Sequence, residues 1–244
     1  MVGERETKER LTSRGTTRAR LVSLIVAVFA AVTLVACDAP ATRTLAVEPT
    51  HAATSTPVMA LPTPNADAAS LERVLDAMQV ETHWLPDVGV AWETDEPSGK
   101  RVTDTDTHCS KFAAAAAMNL GAYILRPPEH PTLMLANAQN DRLNEQGAAQ
   151  GWTRVANGAQ AQALANQGYL VVASYKSPDP QKHGHIAVVR PSAQSAAEIQ
   201  KEGPQIIQAG IDNFNSASLK EGFKHHSGAF KNNAIEFFAH AVGW

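Results

Sequence analysis

From Asp67 onward the spacing of apolar positions shifts from a helical period to an alternating one, and that shift organises the chain. Leu71, Val74, Leu75 and Met78 recur at helical spacing and predict a helix over 67–78, with Asp67 or Ser70 as its N-cap. Residues 85–107, "LPDVGVAWETDEPSGKRVTDTDT", hold no period and read as loop. "HCSKFAAAAAMNLG" predicts a helix headed by Cys109, because alanine is the best helix former and Gly121 suits a C-terminal stop. Thr105, Asp106 or Thr107 would cap it. "PPEHP" breaks the chain. "LMLANAQNDRLNEQG" and "AQAQALANQG" predict two more helices, joined by a short extended link, "GWTRV". After Gly168 the pattern turns β-rich: Tyr169 to Tyr175, His185 to Pro191, Pro204 to Gly210 and Ala234 to His240. "KHHSGAF" reads as a turn. Trp152, Phe214, Phe237 and Phe238 read as core. Helices first and strands later predict an α+β fold with an antiparallel sheet rather than alternating βαβ units.

The N-terminal region follows a different logic. Residues 1–20 are polar and arginine-rich, Leu21 to Ala36 are apolar, and Cys37 follows. This is the layout of an export signal. "LVAC" resembles the bacterial lipobox, and the resemblance implies that Cys37 is lipidated through sulfur and becomes the mature N-terminus. An uncleaved signal anchor is the alternative. Either reading exports the remainder. Asp38 resembles the signal that retains lipoproteins in the inner membrane of enteric-type bacteria. Residues 38–66, rich in Ala, Thr and Pro, read as a mobile linker. Residues 67–244 are then the folded domain. The first 37 residues carry six basic and three acidic side chains, leaving 15 basic against 21 acidic in the rest. That balance argues against a nucleic-acid partner.

Export changes the meaning of the cysteines. The chain has two. Exported proteins usually pair theirs. With Cys37 lipidated, Cys109 is the odd one, which leaves an intermolecular bridge, a reactive thiol or an inert core residue. A thiol at a helix start meets backbone N–H groups and the positive end of the dipole, which favour the thiolate. A nucleophile also needs a base and a group to orient that base. Of the nine histidines, His185 stands out, opening "HIAVV" directly after Gly184. Gln208 lies in the next apolar strand, where it needs a hydrogen-bond partner. Asn213, in "GIDNFN", is the rival third residue. His183 and His185 form an H-x-H pair that zinc can use, but no H-E-x-x-H text accompanies it. His225 and His226 are candidate assistants, and His108 reads as exposed.

"HCSKF" heading a helix, then "GHIAVV", then "QAG", resembles the NlpC-type and CHAP-type papain-like cysteine peptidases and amidases. "GW..V" and "ANQGYLVVA" are also similar to the peptidoglycan amidase effectors of type VI secretion systems. The resemblance runs from the Cys109 helix to "FFAH". It implies a papain-like fold with the cysteine helix packed on the sheet, Cys109 as nucleophile, His185 as base and Gln208 as orienting residue. It implies an amide hydrolase acting on wall peptides, with no metal or organic cofactor. Two features depart from the family: its third residue is usually histidine or asparagine, and the connection "SAQSAAEIQKEG" is long. Trp92 would stand in for the tyrosine that some relatives place before the cysteine. A wall-associated lipoprotein that keeps the fold as a binding module is the competing reading.

Overall fold

A computed structural model describes residues 60–101 and 108–244. The expected export signal, Cys37, most of the expected linker and the candidate caps Thr105, Asp106 and Thr107 lie outside the described residues. The described residues belong to one compact unit, Ser55–Trp244.

Helix α1 (Ala66–Ala77) buries Ala68, Leu71 and Leu75. Its cap is Asn65, whose side chain accepts from Ala68 N, and not Asp67 or Ser70. The helix begins there because the preceding chain is already tied down: Asn65 N donates to Asn166 O at 3.1 Å, and Asn166 Nδ2 donates to Pro62 O at 2.7 Å. A single turn, α2 (Val80–His83), follows. The segment expected to be loop forms a hairpin of β1 (Val88–Ala91) and β2 (Glu96–Arg101). An isolated hairpin is marginal in water; this one is anchored by Val90 and Trp92, which enter the core.

Helix α3 (His108–Asn119) is buried from His108 through Ala117, so it shows no solvent face over those residues. Alanine permits this. With side chains of one methyl, the backbone can lie close to the sheet on one side and to α1 on another. Helix α4 (Leu135–Gln146) packs against α3 and the sheet. The strands are β3 (Trp152–Val155), β4 (Leu170–Tyr175), β5 (His185–Val189), β6 (Gln205–Gln208), β7 (Phe214–Ser218) and β8 (Glu236–His240). They form a six-stranded sheet in the order β3-β8-β4-β5-β6-β7, antiparallel throughout. The expected α+β class with an antiparallel sheet is what is observed. The "GWTRV" link is edge strand β3, and β7 is a strand with no sequence forecast.

Both faces of the sheet are covered. Val172, Ile186, Val188, Ile207 and Phe238 share one apolar cluster with α3. Val171, Ala173, Ala187, Val189 and Ile206 share another with Leu219 and Phe223. Burial on both sides explains why these strands read as unbroken apolar runs. The second layer consists of α5 (Gly158–Ala165), α6 (Ala196–Glu202), α7 (Leu219–Gly222) and α8 (Ser227–Lys231). The long connection before β6 is therefore partly α6, started by a Ser195/Glu198 capping box. "KHHSGAF" is not a simple turn: Lys224–His226 form a 3-10 turn that runs into α8.

Arg190, at the end of β5, joins α1 to the sheet. It is 6% exposed and reaches Glu72 at 2.9 Å, Asp76 at 3.1 Å and the Asn215 carbonyl. Neutralising both carboxylates by Glu72→Gln with Asp76→Asn leaves a guanidinium buried without a counter-charge. The two carboxylates are nearly half exposed, so solvent screening reduces the cost. The expected loss is about 2 kcal/mol by denaturant unfolding. A double variant as stable as the parent would show that this pair does not hold α1.

Candidate functional site

The three expected site residues lie on α3, β5 and β6, which pack together. Cys109 sits in the first turn of α3, 4% exposed. It shares a buried cluster with Ile186 and Ala209, the chain neighbours of His185 and Gln208. Gly184 sets the entry to β5. A Cβ there would collide with the Tyr175 carbonyl and with Asn137 Oδ1, so only glycine fits. Asn137, from α4, also anchors the approaching loop, accepting from Ser177 N at 3.1 Å and donating to Lys182 O at 3.0 Å.

His185 and Gln208 meet. The distance from His185 Nε2 to Gln208 Oε1 is 2.8 Å. The amide orientation follows from its other end, where Gln208 Nε2 donates to the Asp212 carbonyl at 3.1 Å. Its oxygen therefore faces the ring and accepts, so Nε2 of His185 carries the proton and Nδ1 keeps its lone pair. Asn213 is placed elsewhere. It accepts from Gly210 N at 2.9 Å and donates to Val80 O at 2.9 Å and Trp84 O at 2.7 Å. All three bonds go to backbone, so Asn213 braces the loop after β6 against α2.

Burial is the main influence on His185 and pushes its pKa down; the Gln208 bond opposes this; positive charge on His226, His183 and His225 would lower it further. The outcome is a value lowered to about 4 from an ordinary 6.5, so the imidazole is neutral at neutral pH. Phe223 meets its ring edge-to-face at 4.7 Å, and His226 stacks on it at 5.5 Å.

His108 is 3% exposed, correcting the expectation of an exposed side chain. The reason is that α3 is enclosed from its first residue, with Trp84 packed edge-on to His108 at 6.4 Å. Trp92 lies in the same cluster as Cys109, with the Arg126 guanidinium 5.9 Å above its ring. His183 is half-buried and near its neighbour's carbonyl, Gly184 O, at 3.3 Å. Among the described residues no three His, Cys, Asp or Glu side chains are placed to hold a metal ion. Trp152, Phe237 and Phe238 are core; Phe214 is only partly buried.

Sequence reasoning missed Gly222 and Asp212. Gly222 gives the Gln208 carboxamide its space: a Cβ there would lie 2.7 Å from Oε1 and 2.7 Å from Ile206 Cδ1. Gly222→Ala should therefore push the oxygen off His185 and cost about 1–3 kcal/mol of stability through overpacking. The readout is the nitrogen chemical shifts of His185, which should report a mixture of tautomers in place of Nε2–H alone. An unchanged ring would mean that α7 yields instead. Asp212 carries Gln208 on its backbone and Lys224 and His225 on its side chain. Its one sequence signal was its position in the loop between two polar candidates.

No family model matches the chain. Over 99 residues it is 34% identical to peptidoglycan amidase Tse1 of Pseudomonas aeruginosa. The match covers 41% of this chain and 53% of that protein, so about half the length of this relative is spanned.

Proposed function

We propose that the chain is a papain-like cysteine hydrolase that cleaves an amide bond in peptidoglycan stem peptides. The observation that carries this reading is the His185–Gln208 bond, with its amide oriented by Asp212, on strands packed against α3, whose first turn holds Cys109. The similarity to a peptidoglycan amidase supports the choice of wall peptides as substrate.

In this mechanism His185 Nδ1 takes the Cys109 Sγ proton as the sulfur attacks the carbonyl carbon of the amide. The carbonyl electrons move onto oxygen. Backbone N–H groups at the start of α3, that of Cys109 first, stabilise the oxyanion. As the C–N bond breaks, His185 returns the proton to the leaving amine, and a thioester remains. His185 next deprotonates a water, which attacks the thioester and releases the carboxylate and the thiol. Gln208 holds the ring so that Nδ1 alone handles the moving proton. Being neutral, it fixes the tautomer but stabilises the imidazolium less than a carboxylate would.

The test is mass spectrometry of purified wall fragments after incubation with the full chain. The expected result is a gain of one water per amide cleaved, split between two fragments. Fragments left intact by a protein whose Cys109 still alkylates rapidly near neutral pH would overturn the hydrolase and leave the binding module.

We also propose that Cys37 is acylated and anchors the chain to the outer face of a membrane, on the strength of "LVAC" behind its apolar run. One acyl chain binds only marginally, so the two or three that lipoprotein processing adds are needed for firm anchoring. Labelled palmitate should enter the parent protein and not Cys37→Ser. Absence of label from the parent would rule the anchor out.

A further inference from the structure

His185 is held at more points than one hydrogen bond supplies. The Gln208 bond fixes one atom of the ring and leaves the ring plane free to tilt about that contact. The plane is set by aromatic neighbours. Phe223 presents an interplanar angle of 77° at 4.7 Å, and His226 lies almost parallel, at 16° and 5.5 Å. An offset stack at this separation is a favourable arrangement for two neutral rings.

We infer that His226 is a positioning residue for His185: its face, stacked on the His185 ring and held there through Asp212, keeps that ring in the plane where Nε2–H meets Gln208. The inference rests on the reading of His185 as the base. Three observations support it. First, the side chain of His226 is engaged through its ring. Its ring contacts are with His185, with Tyr175 at 5.7 Å and with His183 at 6.0 Å. Second, the turn that presents His226 is pinned. Lys224 Nζ lies 3.0 Å from Asp212 Oδ2 and 2.9 Å from Glu221 Oε1, and His225 Nε2 lies 2.8 Å from Asp212 Oδ2. The Lys224 ammonium also sits 5.2 Å above the Phe214 ring. Third, the residue that pins this turn is the one that orients Gln208, through its backbone carbonyl. The contacts close a ring: His185 to Gln208, Gln208 to Asp212, Asp212 to the 224–226 turn, and His226 back to His185.

The groups around the stack decide how acid affects it. His183 precedes β5, Tyr175 lies on β4, and Gln208 on β6 is uncharged. Asp212 is paired with Lys224 and His225. On α3, which packs on β5, the ionisable groups are His108, Cys109 and Lys111. Two stacked imidazoles that are both protonated repel, so the stack is tightest when both rings are neutral.

The experiment uses the full chain labelled with nitrogen-15 at histidine, together with His226→Ala and His226→Phe. In the parent, His185 should report only the Nε2–H tautomer. His226→Ala removes the face and should give mixed tautomers, with kcat lowered roughly tenfold and KM changed less than about twofold. His226→Phe restores a flat face without the imidazole, and should recover the single tautomer and at least about half of kcat. Parent-like tautomer and kcat in His226→Ala would overturn the inference, and so would His226→Phe falling as far as His226→Ala. If the parent hydrolyses no wall peptide, the tautomer measurement still decides the role of His226, and only the hydrolase reading fails.

Discussion

Replacement of Cys109 by alanine is expected to abolish amide hydrolysis, lowering the rate by roughly four orders of magnitude or more, and to leave the fold intact. Only Sγ is lost, and Sγ is the atom that attacks in the proposed mechanism. Alanine suits the position, since the next turns of α3 are already an alanine run, Ala113–Ala117 among them. The void left by one sulfur is small, so unfolding should shift by about 1 kcal/mol. Cys109→Ser should be nearly as inactive, because a neutral imidazole is a poor base for a hydroxyl with a far higher pKa than a thiol. The two readouts are fragment mass spectrometry and denaturant unfolding. Near-normal cleavage by a folded Cys109→Ala would sink the cysteine mechanism and return attention to the H-x-H pair. Loss of parent activity in EDTA would do the same.

His185→Ala is expected to follow, with a loss of about a thousandfold or more. Gln208→Ala should be milder, roughly ten- to a thousandfold, because it releases the ring without removing the base. Gln208→His should keep much of the activity, since the ring would still meet a hydrogen-bond acceptor. Asn213→Ala should act mainly on stability, given its bonds to Gly210, Val80 and Trp84. An inactive, folded Asn213→Ala beside a normal Gln208→Ala would reassign the third position.

The pH profile tests His185 separately. Its folded value is lowered to about 4, so kcat/KM should stay high through mildly acidic conditions and fall along an acid limb centred near that value. An acid limb near the ordinary 6.5 would mean that the working base is not the buried ring. Stability follows the same shift. A histidine depressed in the folded state binds its proton more readily when unfolded. Its contribution is whole above 6.5 and is lost as pH falls toward 4. His185→Gln should flatten that part of the stability curve.

By itself the sequence determined the elements whose signal is local. The alanine helix behind Cys109, the two glycine-ended helices, and the runs that became β4, β5, β6 and β8 are legible because propensity and period act within a few residues. The order of the chemical text, with Gln208 on the strand after His185, is legible for the same reason. Tertiary structure decided what depends on partners distant in the chain. The β1–β2 hairpin shows no period because only Val90 and Trp92 need to be apolar for the core to hold it. Strand β3 is short and becomes a strand by pairing with β8, far along the sequence. His108 is polar, yet α3 is enclosed on several sides by elements from both ends of the described chain, and its burial follows from that enclosure. Gln208 and Asn213 are separated by five positions and are similar in chemistry. What distinguishes them is direction: one side chain turns toward His185 because Gly222 leaves room for it, and the other turns toward the carbonyls of Val80 and Trp84. The adjacent pair His225 and His226 is visible in the sequence, but which of them meets His185 is not, because a stack between rings 41 positions apart exists only once α7 and the following turn have folded back across the sheet.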